Sequence, residues 1–208
     1  MNTNYSIPFV IEQEGRTERS MDIYSRLLKD RIIWVTGQVE PGMANLIKAQ
    51  IQFLEAEDSE ADIRMYIDSP GGQVDTGLGI YDFMQLSPCD IQTVCVGQAA
   101  SMGSLILMGG TAGKRFATPH ARIMIHQPSG GAQGKASDVE IAYKELQRCK
   151  EELTQIYVQH TGHGYDTLLT DMDRDHYMSA EEAMEYGLID KVLTVEEVRK
   201  MREEALKG

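Results

Sequence analysis

Ser101 lies in the stretch VGQAASMGS, residues 96–104, where glycine and alanine surround it almost completely. Two interpretations are open for a serine with such small neighbours. It can belong to a tight turn in which small residues let two backbones approach each other. Alternatively, its hydroxyl attacks a carbonyl group, and uncovered backbone N–H groups beside it bind the resulting oxyanion.

The surroundings of Ser101 approach the G-x-S-x-G pattern of a nucleophile elbow, although residue 99 is alanine. An apolar strand is predicted before the serine and a helix after it, as in such an elbow. The helix would direct its positive end toward Ser101. The hydroxyl still needs a base within hydrogen-bond reach, a group that orients this base, and donors for the oxyanion.

His126 is the strongest candidate for the base, because the end of a predicted strand offers a rigid scaffold beside a cleft. A histidine at such a position is more often structural than catalytic. The sequence has four other histidines: His120, His160, His163 and His176. The H-x-x-H spacing of His160 and His163 falls in a glycine loop without helical support, so we expect no metal site.

The segment SPGGQ, residues 69–73, follows another predicted strand and contains two adjacent glycines. These glycines can form a plain turn, or they can leave backbone N–H groups uncovered for an anion. The pattern does not distinguish the two interpretations.

The composition argues against several classes of partner. The 208 residues carry a net charge of −12, whereas proteins that bind nucleic acid or anionic membranes need clustered lysine and arginine. No apolar run approaches the ~20 residues that span a bilayer. Cys89, Cys95 and Cys149 form neither a disulfide framework nor a zinc motif. No secretory signal is visible in MNTNYSIPFV. The cysteines fit a reducing cytosol or an organelle interior, and we expect a cytoplasmic protein.

Alternating strands and helices predict a single α/β domain with its functional groups on loops at the strand ends. The predicted strands cover 31–39, 62–68, 91–96 and 121–128, and the predicted helices cover 41–58, a segment ending near 86, and a segment starting at 101. No linker or charge block divides the chain.

A long amphipathic helix is predicted from about 138 to 160. At ~1.5 Å per residue it exceeds ~30 Å, so we expect it to protrude and to pack on another subunit. The alternative is that it lies along its own domain. Capping boxes predict three helix starts, at Ser137 with Glu140, Ser179 with Glu182, and Thr194 with Glu197.

Several motifs resemble the proteolytic subunit of the Clp protease family (the ClpP family). They are YIDSPGGQV, GQAASMGS, RIMIHQPSGG and DRDHYMSAEEAMEYGLID, and the opening VIEQEGRTERSMDIYSRLLKDRI resembles the start of that family. The resemblance extends from about Tyr5 to Val192 without large gaps. It is very specific, because the motifs match in the same order.

The resemblance implies a serine-type endopeptidase with Ser101 as nucleophile, His126 as general base and Asp175 as the carboxylate that orients the imidazole. The segment DMDRDHY offers three aspartates, and the family pattern selects the third. The backbone N–H groups of Gly72 and Met102 would form the oxyanion hole. The chain order Ser, His, Asp differs from that of α/β-hydrolases, so the elbow pattern is a partly misleading signal.

The implied fold is the crotonase-like α/β superhelix of repeated strand-strand-helix units, in one peptidase domain over 1–208. Residues 1–22 would form an axial segment, about 130–162 a protruding handle region, and 194–208 a C-terminal helix. Two heptameric rings would stack into a tetradecamer around the active sites. An AAA+ unfoldase of the ClpX or ClpA type would supply unfolded proteins and use the ATP. This chain has no P-loop, so we expect no cofactor in it.

Three smaller expectations also come from the resemblance. Residues 128–134 would pair with substrate backbone as an added strand, through Pro128, Ser129, Gly130 and Gly131. Asp173 and Arg174 would form the contact between the two rings. Residues 1–4 would be a short propeptide that the enzyme itself removes.

The chain departs from the family in the apolar surface pocket that receives the unfoldase. Arg64 and Leu86 stand where the family has a tyrosine and a phenylalanine, whereas Tyr66 is retained. Two alternatives to a peptidase are an acyl-CoA hydratase or isomerase of the related crotonase fold, and a non-enzymatic ring subunit. The complete Ser, His, Asp set argues against both.

Overall fold

The computed structural model describes residues 6–15 and 17–199. Its strands are β1 (Phe9–Glu14), β2 (Thr17–Asp22), β3 (Ile32–Thr36), β4 (Ile63–Ser69), β5 (Ile91–Ala100), β6 (Arg115–Ala117), β7 (Arg122–Ile125), β8 (His176–Met178) and β9 (Lys191–Val192). Its helices are α1 (Ile23–Lys29), α2 (Pro41–Glu57), α3 (Val74–Leu86), α4 (Met102–Met108), α5 (Ala136–Thr161), α6 (Tyr165–Asp171) and α7 (Ala180–Glu185), and a further helical segment covers 195–199. The expected propeptide, 1–4, and the end of the expected C-terminal helix, 200–208, lie outside the described residues. Within the described ranges, no helix is both long and apolar enough to span a bilayer.

The main sheet is parallel, with β3, β4, β5, β6 and β9 side by side in this order. β7 joins it parallel to β5, and β8 then pairs antiparallel to β7. β1 and β2 form a separate antiparallel hairpin. Helices connect successive parallel strands, since such strands need long crossover connections. The prediction of an α/β fold is confirmed.

The core lies between this sheet and the helices that cover it. Ile63, Met65 and Ile67 alternate along β4 and are fully buried, as the period of two in a strand requires. Ile47 and Ile51 lie one turn apart on the buried face of α2. All seven residues of α4 are buried, which anchors the helix that begins directly after β5.

β5 changes its partner halfway along. Residues 93–95 pair with β6, whereas residues 98–100 pair with β7. Gly97 separates the two halves with a φ of +91°, a conformation that favours glycine. The second half of the strand therefore carries Ser101 to the side of the sheet where β7 ends.

Three strand boundaries differ from the predicted ones. β3 is shorter than 31–39, and β5 continues through Ala100 because its second half finds a new partner in β7. β7 ends at Ile125, so His126 follows the strand instead of lying in it. Residues 128–134 form no strand within the chain.

α5 begins earlier than predicted, and the capping box of Ser137 with Glu140 is wrong. The N-cap is Lys135, which makes no side-chain capping hydrogen bond. Its carbonyl accepts from the N–H groups of Asp138 and Val139 at 2.9 and 3.0 Å, so the first turn has already formed around Ser137.

The other two predicted capping boxes are confirmed. The Ser179 hydroxyl accepts from the Glu182 N–H at 3.1 Å, and the Glu182 carboxylate accepts from the Ser179 N–H at 2.7 Å. Thr194 and Glu197 make the same reciprocal pair of hydrogen bonds.

The first half of α5 projects from the domain. None of residues 136–148 is buried, and the apolar side chains of Ile141 and Tyr143 are 67% and 60% exposed. Burial begins at Cys149 and continues with Leu153. This exposure supports the prediction that the helix protrudes.

Candidate active site

Ser101 joins β5 to α4 in a backbone conformation that side-chain-bearing residues rarely adopt. Its φ and ψ are 54° and −123°, and such strain costs about 1–3 kcal/mol. The Ser101 N–H donates to the Met124 carbonyl of β7 at 2.8 Å, and the Ser101 carbonyl accepts from the Ser104 N–H at 2.9 Å. A strand on one side and a helix on the other therefore hold the serine in this position.

The Ser101 hydroxyl lies against the imidazole of His126. The distance from Ser101 Oγ to His126 Nε2 is 2.8 Å, and His126 Nδ1 lies 2.9 Å from Asp175 Oδ1. A carboxylate only accepts hydrogen bonds, so Nδ1 carries the proton and Nε2 accepts from the serine hydroxyl. The three side chains form one hydrogen-bonded chain with the geometry that an activated serine needs.

The pairing of β7 with β8 explains why Asp175 reaches the imidazole. Ile125 faces His176 in the last pair of this antiparallel ladder. One step further along the same register, His126 faces Asp175. Tertiary pairing therefore brings together two residues that lie 49 positions apart.

Gln127 fastens the segment before Asp175 to the end of β7. Its side-chain amide donates to the carbonyl and the carboxylate of Asp173 at 2.9 and 3.1 Å. Its backbone N–H donates to the Met172 carbonyl at 2.6 Å. We did not predict this role, and the only signal in the sequence is that Gln127 directly follows His126.

The loop after β4 brings its glycines against Ser101. A Cβ atom on Gly71 would lie 2.6 Å from the Ala100 carbonyl oxygen and 2.7 Å from Ser101 Cβ, closer than real side chains approach. Val39 holds the loop from the other side, because its N–H donates to the Gly71 carbonyl at 2.9 Å and its carbonyl accepts from the Gln73 N–H at 2.9 Å. Only glycine permits this close approach.

The N–H groups of Gly72 and Met102 have no acceptor among residues 6–15 and 17–199. Met102 is the first residue of α4, where the N–H groups of a helix lack partners within the helix. Its nitrogen would lie 2.9 Å from a Cβ atom on Gly71, so the glycine loop adjoins it. Both predicted oxyanion donors therefore keep their hydrogen-bonding capacity near the serine.

The segment after Gln127 exposes unpaired backbone beside the triad. None of residues 128–134 makes a backbone hydrogen bond to another described residue. A cavity of about 560 Å³ opens along it, lined by His126, Gln127, Pro128, Ser129, Asp173, Arg174 and Asp175. A second, mostly apolar cavity of about 350 Å³ separates the segment from α5, with Gly130, Gly131, Ala132, Val139, Ala142, Tyr143, Glu145, Leu146 and Cys149 as its lining.

Asp173 and Arg174 lie on the surface next to the triad. The Arg174 side chain is 94% exposed, and its Nε lies 3.6 Å from the Asp173 carboxylate. Within one chain this is a solvated ion pair of the kind that contributes ~0–1 kcal/mol. The guanidinium is accessible to a second subunit.

Two histidines outside the triad have structural partners. His160 Nε2 lies 2.7 Å from the Tyr81 hydroxyl, and burial lowers the pKa of His160. The His163 ring packs on Tyr186 with 4.2 Å between the ring centroids. Across the described ranges, no group of three or more His, Cys, Asp or Glu side chains is arranged to hold a metal ion.

Ser104 and Tyr157 form hydrogen bonds next to the Ser101 carbonyl, and we did not predict them as part of the site. Ser104 Oγ donates to the Ser101 carbonyl at 2.7 Å and lies 2.7 Å from the Tyr157 hydroxyl. Ser104 is fully buried, Tyr157 is 3% exposed, and burial raises the pKa of the Tyr157 phenol. The two residues are 53 positions apart, so no local pattern connects them.

One family model, described as Clp protease, matches residues 15–196. This range is most of the 208 residues and includes all three members of the hydrogen-bonded chain. The mixed α/β architecture with a mostly parallel sheet agrees with the fold expected from the resemblance. The chain therefore belongs to the Clp protease family, which implies a Clp-type proteolytic subunit and a serine-type peptidase.

Proposed function

We propose that this chain cleaves unfolded polypeptides and short peptides as the serine endopeptidase core of an ATP-dependent Clp protease. The observation that carries the proposal is the hydrogen-bonded chain from Asp175 through His126 to Ser101. Each member has the partner that its role requires, because the carboxylate fixes the imidazole tautomer and the imidazole accepts the hydroxyl proton.

In the acylation step, Ser101 Oγ attacks the carbonyl carbon of the peptide bond and its proton passes to His126 Nε2. Asp175 stabilises the imidazolium that forms. The carbonyl oxygen becomes an oxyanion, which accepts hydrogen bonds from the Gly72 and Met102 N–H groups. These donors are already oriented, so they need no reorganisation during the reaction.

Collapse of the tetrahedral intermediate breaks the C–N bond. His126 gives its proton to the leaving amine and is neutral again. A water molecule then attacks the acyl-enzyme, and His126 takes its proton as general base. His126 then gives this proton to Ser101 Oγ as the ester C–O bond breaks, which releases the carboxylic acid and returns Ser101 to its hydroxyl form.

We further propose that substrate backbone binds along residues 128–134 as an added strand. The unpaired groups of Pro128, Ser129, Gly130 and Gly131 support this, since a free strand edge is a template for pairing. Backbone pairing recognises the peptide group that every sequence shares. The proposal therefore accounts for low sequence specificity.

The proposed assembly is two stacked heptameric rings in the cytoplasm, with the active sites inside a closed chamber. The exposed apolar side chains of Ile141 and Tyr143 on the projecting half of α5 support contact with another subunit. The Asp173 and Arg174 pair would lie at the same ring interface. In one domain over 1–208, 1–22 would form the axial segment, about 130–162 the handle, and 194–208 the C-terminal helix.

An AAA+ unfoldase of the ClpX or ClpA type is the proposed partner, and it would hydrolyse the ATP. Arg64 and Tyr66 project from the same face of β4, where Tyr66 stacks on Trp34 with 4.9 Å between ring centroids. The Arg64 guanidinium donates to Gln92 Oε1 at 2.7 Å, and Leu86 is 81% exposed. The docking pocket would therefore combine a cation with apolar side chains.

Labelling with a fluorophosphonate probe and cleavage of a fluorogenic peptide test the chemistry. Ser101→Ala should abolish labelling and lower turnover by a factor on the order of 10⁶, while the assembly stays intact by light scattering. Ser59→Ala is the matched control, because Ser59 is an exposed serine in the loop between α2 and β4. It should behave as wild type.

The same experiment separates the peptidase from both alternatives. A hydratase or isomerase, or a non-enzymatic ring subunit, would leave wild-type Ser101 unlabelled. Full turnover in Ser101→Ala would disprove the assignment of the nucleophile.

A further inference from the structure

The Ser101 carbonyl and the Met102 N–H belong to one peptide group. The carbonyl oxygen of this group accepts hydrogen bonds from the first turn of α4. This oxygen accepts from the Ser104 N–H at 2.9 Å, from the Leu105 N–H at 3.3 Å and from Ser104 Oγ at 2.7 Å. The N–H end has no acceptor among the described residues. One end of this peptide is therefore held firmly, and the other is free to bind an oxyanion.

The side-chain hydrogen bonds behind this peptide run in one direction. The single proton of the Ser104 hydroxyl goes to the Ser101 carbonyl, so the contact of 2.7 Å between the two hydroxyls must use the proton of Tyr157. Burial raises the pKa of Tyr157, so the phenol keeps this proton at neutral pH. The relay passes from Tyr157 through Ser104 to Ser101.

We propose that Ser104 and Tyr157 are positioning residues of the oxyanion hole. By binding the Ser101 carbonyl, they orient the Met102 N–H and make it a stronger donor. This inference rests on the proposed function, because it concerns a donor that acts only if attack by Ser101 converts a substrate carbonyl oxygen into an oxyanion.

Orientation follows from the planarity of the peptide. In a trans peptide the C=O and N–H bonds point in opposite directions within one plane, so an anchored oxygen also fixes the direction of the N–H. The anchor is needed here because Ser101 has a φ of 54°, a conformation that would relax without support. Relaxation would rotate the Met102 N–H away from the oxyanion.

Polarisation follows from cooperativity between hydrogen bonds. Donors at a carbonyl oxygen draw electron density through the amide and strengthen its N–H as a donor, by about 10–30% per bond. Both side chains of the relay are buried, where such effects are larger than in water.

Tyr157 extends this support to α5. It belongs to the half of that helix that packs into the core, whereas the first half of α5 projects outward. The helix whose first half projects outward therefore also contacts Ser104, through Tyr157, near its C-terminal end.

Substitutions of Tyr157 and Ser104 test the proposal in the assembled protein. Tyr157→Phe removes one hydroxyl and keeps the ring, and Ser104→Ala removes the donor to the Ser101 carbonyl. We expect Ser104→Ala to lower kcat roughly tenfold with KM unchanged, well short of the ~10²–10³ that follows loss of an oxyanion donor itself. Tyr157→Phe should have a smaller effect of the same kind.

The double variant is the sharpest kinetic test. If Tyr157 acts only through Ser104, the double variant should match Ser104→Ala, since the two effects are then not additive. Tyr81→Phe is the matched control, because it removes another buried tyrosine hydroxyl that binds α5, through His160, away from Ser101. It should leave kcat unchanged.

Infrared spectroscopy of the acyl-enzyme measures a C=O frequency that would not change if Ser104 and Tyr157 only stabilised the fold. An activated ester with a ¹³C-labelled carbonyl acylates Ser101, and its C=O frequency reports the strength of the oxyanion hole. We expect a higher frequency in Tyr157→Phe and Ser104→Ala than in wild type or Tyr81→Phe. A peptide boronate, whose adduct places an oxygen in the hole, should lose affinity by the same factor as kcat.

The outcomes distinguish this inference from the proposed function. If wild type neither reacts with the probe nor cleaves peptide, the proposed function fails. If wild type is active but the variants keep its kcat and carbonyl frequency, or change only KM, the inference alone is overturned. Near-UV circular dichroism and light scattering monitor folding, and loss of the fold in both Tyr157→Phe and the double variant would also overturn it.

Discussion

His126 and Asp175 face each other one step beyond the last residue pair of the β7–β8 ladder, with 2.9 Å between Nδ1 and Oδ1. The strand pairing sets this distance, because the neighbouring pair of Ile125 and His176 fixes the register of the two segments. Gln127 also holds the segment before Asp175 in place, because its side-chain amide donates to Asp173. The orientation of the imidazole therefore depends on the sheet rather than on a flexible surface loop.

Asp175→Asn should lower kcat by a factor on the order of 10⁴ while the protein still folds and assembles. An asparagine amide can donate to Nδ1, which places the imidazole proton on Nε2 and removes the acceptor for the Ser101 hydroxyl. Steady-state peptide cleavage measures the loss. A variant within tenfold of wild type would show that Asp175 is not the orienting carboxylate.

Gly71→Ala should lower kcat by on the order of 10², as expected for a displaced oxyanion donor. The new Cβ atom would lie 2.6 Å from the Ala100 carbonyl oxygen, and the φ of +90° disfavours any side chain. The loop must shift away from Ser101, and the Gly72 N–H moves with it.

Gly79→Ala is the control for this change, because a Cβ atom on Gly79 would meet nothing within 4 Å. Inside α3 it should leave kcat unchanged and raise stability by about 0.5–1 kcal/mol. Equal activities of the two variants would contradict the close contact between Gly71 and Ser101.

Arg174→Ala tests whether assembly and catalysis are coupled. The pair of Arg174 and Asp173 is exposed in one chain, and we expect Arg174 to bind Asp173 of the opposite ring. Such a bidentate contact would hold the segment that carries Asp175 beneath the imidazole. The variant should accumulate as single rings in light scattering, and peptide cleavage should fall with the loss of double rings. If Arg174→Ala forms double rings with wild-type activity, Arg174 does not couple assembly to catalysis.

Asp190→Asn should destabilise the fold by about 3 kcal/mol at neutral pH. Asp190 accepts from Arg115 Nη2 at 2.6 Å and from Nε at 3.0 Å, across the junction of β6 and β9. Burial by itself would raise the pKa of Asp190, but the Arg115 hydrogen bonds outweigh it and hold the pKa below its ordinary value. Thermal unfolding of the assembled protein measures the change.

The lowered pKa of Asp190 also makes the stability of the fold depend on pH. The pair stabilises the fold at every pH above the unfolded pKa of ~3.9, and this contribution disappears as the pH falls through the folded value. Asp190→Asn should therefore lower the unfolding temperature at pH 7 more than at pH 3. Asp62→Asn, at an exposed ion pair with Lys114, is the control and should cost less than ~1 kcal/mol. Equal losses from Asp190→Asn at both pH values would contradict the linkage.

Local patterns in the sequence predicted the strands β3, β4, β5 and β7 and most of the helices, but not β1, β2, β6, β8 or β9. The strand predicted over 62–68 is β4, in which Ile63, Met65 and Ile67 alternate because the side chains of a strand point to its two faces in turn. The capping box of Ser179 with Glu182 predicted the start of α7, since both partners lie within one turn. Small residues around Ser101 indicated either a tight turn or a nucleophile beside uncovered N–H groups, and the motif order predicted the family.

Tertiary structure decided what depends on contacts between distant segments. β5 extends to Ala100 only because β7 pairs with its second half, and Asp175 faces His126 only in one register of β7 against β8. The Ser137 box failed because the chain enters α5 with Lys135 as its N-cap, a choice between two nearby starts that local pattern does not decide. Ser104 and Tyr157 meet because α4 and α5 both enter the core. Their hydrogen bond depends on the packing of two helices, for which a one-dimensional pattern carries no signal.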